Sequence, residues 1–223
     1  MRIPTLHRWP HSPRAAISLQ RELAPRVCLT PISGAPGLIA GADVAFSRDG
    51  RDVIAGVVLW NLDEQVVVET RVARVPCRFP YVPGLLSFRE LPGVLAAFRR
   101  LRRLPDAVLC DAQGLAHPRR FGLACHLGLW LGLPTIGCAK SRLCGTFREP
   151  AAAKGRHSRL MLDDDQVGVV LRTRENVKPL FVSPGHLCDR DGAARLTLAA
   201  ATCYRLPEPT RLAHQLVTRA RAG

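Results

Sequence analysis

The sequence predicts an α/β fold: one mixed sheet in which an antiparallel three-strand meander is continued by parallel strands, with helices on both faces. Three observations carry that expectation. Strand-like runs at Leu38–Phe46, Asp52–Asn61 and 65–77 follow one another across links short enough for hairpins. Beyond residue 90 the rhythm changes to alternating helical and strand-like segments, the pattern of parallel crossovers. The chain has 223 residues, 47% of them hydrophobic and 22% charged. That is enough apolar material to bury a core, and it excludes a wholly disordered basic tail.

Taken in order, residues 1–11 read as loose. Ser12 and Pro13 fit an N-cap and first helical position, and Ile17, Leu19 and Leu23 give the helix an apolar side. Pro31, Gly34, Pro36 and Gly37 form a connector to the meander. A turn-rich stretch, 80–84, leads to a helix over 91–103, a strand at Ala107–Cys110, a helix over 119–133 and a strand at Thr135–Ala139. Strands near 166–173 and 180–183 follow, then helices near 190–203 and 208–220. Residues 1–30 read as an N-terminal extension and helix, and 31–223 as a single domain.

Lys and Arg number 32 against 18 Asp and Glu, a formal net charge of +14. A folded surface this basic points to a polyanionic partner. All the cations are Arg except Lys140, Lys154 and Lys178. Arg forks hold phosphate bidentately, although genome composition produces the same bias. Eight cysteines include no C-x₂-C pair, and several sit in apolar runs. They read as small core residues in a reducing compartment rather than as zinc ligands or disulfides. The uncharged stretch 121–139 is interrupted by His126, Pro134 and four glycines, so it reads as a buried helix and strand rather than a membrane span. No apolar secretory h-region opens the chain, and a cytoplasmic location is expected.

Two carboxylates stand where apolar residues belong. Asp43 sits in the middle of the first strand run, and Asp111 directly follows the strand Ala107–Cys110. A buried, unpaired Asp is costly unless it is paired or binds a metal. Ligands of open α/β sheets gather outside the carboxyl ends of strands, so adjacent placement of these two strands brings the carboxylates together. Glu90 is the third candidate. Ser87-Phe-Arg-Glu90 matches a capping box, but Pro92 prefers a first turn and moves the expected helix start toward Glu90 or Leu91. Hard oxygen ligands of this kind suit Mg²⁺ or Mn²⁺, which can activate water and steady the leaving oxygen of a phosphodiester. The window 71–120 carries ten Arg against Glu90, Asp106 and Asp111, a surplus of +7. Arg119 and Arg120, beside the loop after Asp111, are its best phosphate candidates.

The stretch Pro80-Tyr-Val-Pro-Gly-Leu-Leu-Ser-Phe-Arg-Glu90 resembles the endonuclease V family, the deoxyinosine-directed nucleases. Four further segments match in the same order: Leu-Ile-Ala-Gly-Ala-Asp43-Val, His117-Pro-Arg-Arg-Phe-Gly122, Gly137-Cys-Ala-Lys140 and Tyr204-Arg-Leu-Pro-Glu-Pro-Thr-Arg211. The resemblance implies a ribonuclease H-like fold and Mg²⁺-dependent nicking of DNA at the second phosphodiester 3′ of a deaminated base. It implies that Asp43 and Asp111 are metal ligands, with Glu90 the third acidic member. Lys140 and His214 are implied members of the same site. Lys140 would orient the attacking water or stabilise charge on the phosphate.

Tyr81, between Pro80 and Pro83, resembles a rigid aromatic wedge that pushes a base from the stack. Gly84, Leu85 and Gly114 match the neighbourhood of the extruded base, and the resemblance implies that His117 is a further DNA-binding residue. One departure stands out. The family's Asp-Gly-x-Gly reads Asp111-Ala-Gln-Gly114 here, placing a methyl group at a position expected to line the base pocket. The expected partner is single- or double-stranded DNA with deaminated bases, met by a monomer and not by a membrane-bound assembly. Two competing readings are a ribonuclease H-like nuclease acting on inosine in RNA or on branched DNA, and a basic nucleic-acid-binding module whose acids are structural.

Overall fold

The structure, a computed structural model, describes residues 1–222. One eight-stranded sheet runs through it: β1 (Leu38–Phe46), β2 (Asp52–Asn61), β3 (Val66–Pro76), β4 (Ala107–Cys110), β5 (Thr135–Ala139), β6 (His157–Leu162), β7 (Asp165–Leu171) and β8 (Leu180–Pro184). Their order is β3-β2-β1-β4-β5-β8-β7-β6. The meander β1–β3 is antiparallel, and β4 and β5 continue it in parallel with β1. From β8 onward the pairing turns antiparallel again. The hairpin β6–β7 includes a strand at 157–162 that sequence patterning does not reveal. Its residues are only intermittently buried, so the period-2 apolar signal is weak.

Helices cover both faces, as the sequence implies. They are α1 (Pro13–Leu23), α2 (Leu86–Arg99), α3 (Leu123–Leu131), α4 (Arg190–Ala200) and α5 (Glu208–Ala222). On one face Ala40, Ala42, Ala55, Val57 and Leu59 join α2 and α3 in a core with Leu91, Phe98 and Leu127. On the other, Ile39, Leu109, Ile136 and Cys138 pack with α4 through Ala193 and Leu196. The alternation of residues along β1 makes this division, since successive side chains point to opposite faces. Helix α5 lies across β1 and β2 so closely that a Cβ on Gly41 would overlap the Pro209 carbonyl.

Three local expectations are corrected. Helix α2 begins at Leu86, so Pro92 is inside it and Glu90 is its fifth residue rather than an N-terminal one. Leu85 precedes the helix without a side-chain cap. Ser87 instead turns inward to His126, 3.1 Å away, so the capping-box reading fails too. Proline is tolerated there because apolar burial of Leu91, Val94, Leu95 and Phe98 outweighs one missing hydrogen bond. Helix α3 starts at Leu123 rather than 119, because Arg120 has φ +54 and Gly122 is extended. Residues 1–11 are not loose. The Met1 ammonium donates to the carbonyls of Arg99 and Leu101, Ile3 is buried, and Trp9 stacks on Trp130.

All eight cysteines are free; Cys110, Cys125, Cys138 and Cys188 are buried, whereas Cys28 and Cys203 are exposed. Among the described residues no helix is long and apolar enough to cross a membrane. The fit of α5 on β1 generates a test. Gly41→Ala is expected to lower unfolding stability by about 1–3 kcal/mol in urea titration through overpacking. An unchanged midpoint would show that α5 can move away from β1 without cost.

Candidate active site

Register brings the two strand carboxylates together. Ala42 of β1 lies opposite Cys110 of the parallel β4, so Asp43 and Asp111 are the next residues along neighbouring strands. Both side chains are 13% exposed. Glu90 reaches the same cleft from α2, and Ala42, Asp43, Glu90, Cys110, Asp111 and Ala112 line it. Each of the two strand carboxylates has a cationic or polar neighbour on a different element. His214 of α5 donates from Nδ1 to Asp43 Oδ2 at 2.8 Å. Lys140, one residue past β5, forms an ion pair with Asp111.

The crowding has an electrostatic signature. Burial raises the Asp43 carboxyl above the ordinary range, opposed by its hydrogen bond to His214. Glu90 is pushed up to about 8, first by desolvation and then by the charges of Asp43 and Asp111. Like charges held in one enclosed space favour a proton or a cation between them. The donors are hard oxygens, which suit a divalent ion of the Mg²⁺ or Mn²⁺ class. Among the described residues no three Asp, Glu, His or Cys side chains are gathered into a ready-made ligand cage. Two of the three acids face Lys140 and His214 instead.

A second feature adjoins the acids. The loop Pro80–Gly84 projects Tyr81 to the surface, 71% exposed. Pro80 beside it is exposed as well. A cavity of about 160 Å³ opens at its foot, lined by Tyr81, Pro83, Gly84, Ala112, Gln113 and His117 among others. Gly84 has φ +77, a backbone that favours glycine. Its carbonyl accepts from Gln20 Nε2 at 3.0 Å, His117 Nε2 at 3.0 Å and Arg119 Nη2 at 2.8 Å. His117 Nδ1 accepts from the Arg119 N–H at 3.1 Å, which assigns the ring proton to Nε2. Burial, with Arg119 nearby, pushes this imidazole down to about 4, so it is neutral near pH 7.

Several expected members have other duties. Leu85 packs with Ala16, Phe79 and Phe88, and its N–H donates to Val82. Gly114 donates to Ser183 Oγ at 2.8 Å and lies against the backbone of Pro184. Neither lines the cavity. Arg119 spends Nε on Gln20 Oε1 and Nη2 on Gly84, while Arg120 turns Nη2 to Leu162, Asp163 and Asp165. These guanidiniums are committed to protein acceptors rather than presented freely to phosphate. Ala112 is buried at 8% without a left-handed backbone, so its methyl is carried without strain.

The arginine-rich window also divides in space. Arg99, Arg100, Arg102 and Arg103 sit at the far end of α2 and before β4, away from the carboxyl ends that carry the acids. Arg89 lies at the acid end, 4.4 Å over the Phe46 ring. Sequence reasoning missed Gln20 and Gln113 at the cavity and Arg205, whose Nη2 donates to the Lys140 carbonyl at 2.7 Å. The arginine lay inside a recognised segment. The glutamines carried no sequence signal.

The family model for Endonuclease V matches residues 21–215. Endonuclease V of Xanthomonas campestris pv. campestris is 51% identical over 217 residues, covering 97% of this chain and 92% of that protein. The crystal structure of Endonuclease V from Streptomyces avermitilis superimposes with a TM-score of 0.91 at 45% identity, covering 95% and 94% of the two chains. Ciona intestinalis Endonuclease V, crystallised with a 24mer DNA containing an inosine followed by a ribo-adenosine, shares the fold. Its TM-score is 0.81 at 23% identity, with 93% and 96% coverage.

The raised Glu90 carboxyl has a measurable consequence. Its unfolded counterpart ionises near 4.5, its folded form near 8. The folded state therefore holds the extra proton in this window, and the contribution to stability is full below pH 4.5 and lost as pH rises through 8. In chelator, Glu90→Gln is expected to flatten the fall in unfolding free energy across that window, read by chemical denaturation at several pH values. A parallel, merely displaced profile would show that Glu90 is ionised in the folded protein.

Proposed function

This chain belongs to the endonuclease V family, and from that premise we propose that it is a DNA repair endonuclease. It nicks DNA at the second phosphodiester 3′ of deoxyinosine and of other deaminated bases, by metal-assisted hydrolysis. The observation that carries this reading is the juxtaposition of Asp43 and Asp111 by strand register, with Glu90 facing them and the Tyr81 loop and its cavity alongside. The DNA bound to the Ciona relative points to the same substrate class.

Asp43, Asp111 and Glu90 would hold a divalent cation, which we assign as Mg²⁺, with Mn²⁺ an acceptable substitute. Such an ion, if held there, would supply an activated water and charge stabilisation at the leaving oxygen. The chain's own groups do the positioning. Tyr81, stiffened by Pro80 and Pro83, enters the duplex and helps displace the target base toward the cavity at its foot. Lys140 places an ammonium beside Asp111 at the end of a buried strand, where it can meet charge developing on the scissile phosphate. His214 holds Asp43 in orientation and can pass a proton at Nδ1. We further assign a monomer, a cytoplasmic location, and residues 31–223 as the catalytic unit with 1–30 packed against it.

The test uses a labelled duplex with one deoxyinosine. A nick two phosphodiesters 3′ of the lesion is expected with Mg²⁺ and none with chelator. Asp43→Ala, Asp111→Ala and Lys140→Ala should each slow it on the order of 10²–10³-fold, while binding DNA like the parent. No nick with either Mg²⁺ or Mn²⁺ would favour a binding module, and faster cutting of a ribo-inosine strand would move the substrate to RNA.

A further inference from the structure

We propose that Tyr204 is a nucleic-acid-binding residue whose ring stacks on a base of the cut strand, on the 3′ side of the nick. The inference goes beyond the function proposed above and rests on it only for the direction in which the strand runs. The chain has two tyrosines. Both are exposed, Tyr81 at 71% and Tyr204 at 49%.

Tyr204 sits in a loop that is anchored on both sides. Arg205 Nη2 donates to the carbonyls of Lys140 at 2.7 Å and Pro179 at 2.8 Å. The Arg205 carbonyl accepts from Thr173 Oγ1 at 2.6 Å, and Leu206 packs against the core that holds Ile39 and Ile136. Glu208 accepts from Thr202 Oγ1 at 3.2 Å and from Arg211 Nε and Nη2 at 3.0 and 2.6 Å. The Arg211 guanidinium lies 4.3 Å from the centroid of the Tyr204 ring. The ring therefore rests on a charge-balanced, fixed platform, so ordering it on binding costs little. The guanidinium occupies part of the ring, and the exposed half of the residue is left for a ligand.

Two short connections lead from this ring to the acids. Arg205 holds the backbone of Lys140, the partner of Asp111. Arg211 precedes His214 by one turn of α5, and His214 donates to Asp43. Tyr81 approaches from the other face of the sheet. Its loop leads into α2 and is packed there through Phe79, Leu85 and Phe88. Leu206 and the start of α5 lie instead on the Ile39 and Gly41 side of β1. The acids stand at the strand ends between the two tyrosines. A strand whose lesion is met by Tyr81, and which is cut at the acids on the lesion's 3′ side, continues toward Tyr204. An aromatic backed by a guanidinium is a platform for any base, because every base has a π-face. Such a contact adds affinity without sequence preference and steadies the strand beyond the cut.

The experiment is single-turnover nicking by the full chain in Mg²⁺, with a labelled deoxyinosine strand either intact or abasic at the first or second nucleotide 3′ of the nick. The half-saturating enzyme concentration is read for each strand. One of the two abasic strands is expected to raise it ~10-fold for the parent, about the effect of one lost base–aromatic stack. Tyr204→Ala should raise it ~10-fold on the intact strand, with no further loss on that abasic strand, the non-additivity of a direct contact. Tyr204→Phe keeps the ring and should still separate intact from abasic as the parent does. A parent indifferent to both abasic positions overturns the proposal without reference to any variant. Tyr204→Ala that binds the intact strand like the parent overturns it too. So does a Tyr204→Ala loss that is equal on intact and abasic strands, which would make the ring a structural cap on Arg211. A parent that nicks none of the strands contradicts the proposed function instead, a separate outcome in the same gel.

Discussion

The parallel pairing of β1 with β4 is the constraint on which the rest of the site depends. With Ala42 opposite Cys110, two carboxylates are set side by side at the ends of buried strands. Neither can be moved without shifting the register of the central sheet, and a one-residue slip would turn each to the other face. Two buried like charges repel, so the surrounding elements supply compensation. Helix α5 brings His214 to Asp43, the end of β5 brings Lys140 to Asp111, and Glu90 is driven toward protonation first by burial and then by the two neighbouring carboxylates. Gly41 belongs to the same arrangement, because α5 reaches β1 only where no side chain intervenes.

The loop Pro80–Gly84 is held by a different device. Three donors converge on the Gly84 carbonyl, from α1, from the turn at His117 and from Arg119. A loop pinned at its base can present an exposed aromatic tip with little further ordering on binding. The N-terminal segment supports the same region by another route. Ser87 Oγ, His126 and His7 form a chain of hydrogen bonds ending on the Arg8 carbonyl, flanked by the Trp9–Trp130 stack.

Much of this was legible in the sequence, for reasons that differ from residue to residue. Asp43 and Asp111 stood out because a charge inside an apolar strand demands an explanation. Their adjacency did not, since register between distant strands leaves no local mark. Pro92 misplaced the start of α2 because burial of the helix's apolar face overrode a backbone preference. The ten arginines of 71–120 form one block along the chain but are spread over β3, both ends of α2 and the loop after β4, so the block overstated the charge at the acids. Arg119 and Arg120 read as phosphate ligands until their partners were visible. Gln113 was illegible because its side chain is tied to Ser141, 28 residues away.

As proposed, Asp43 and Asp111 act as one cation-binding unit created by the β1–β4 register. Calorimetric titration of Mn²⁺ into the parent, Asp43→Asn, Asp111→Asn and the double variant tests it most directly. One shared centre predicts strong non-additivity, each single change removing nearly as much affinity as the pair. Additive losses from the two substitutions, or affinity unchanged in either single variant, would contradict it.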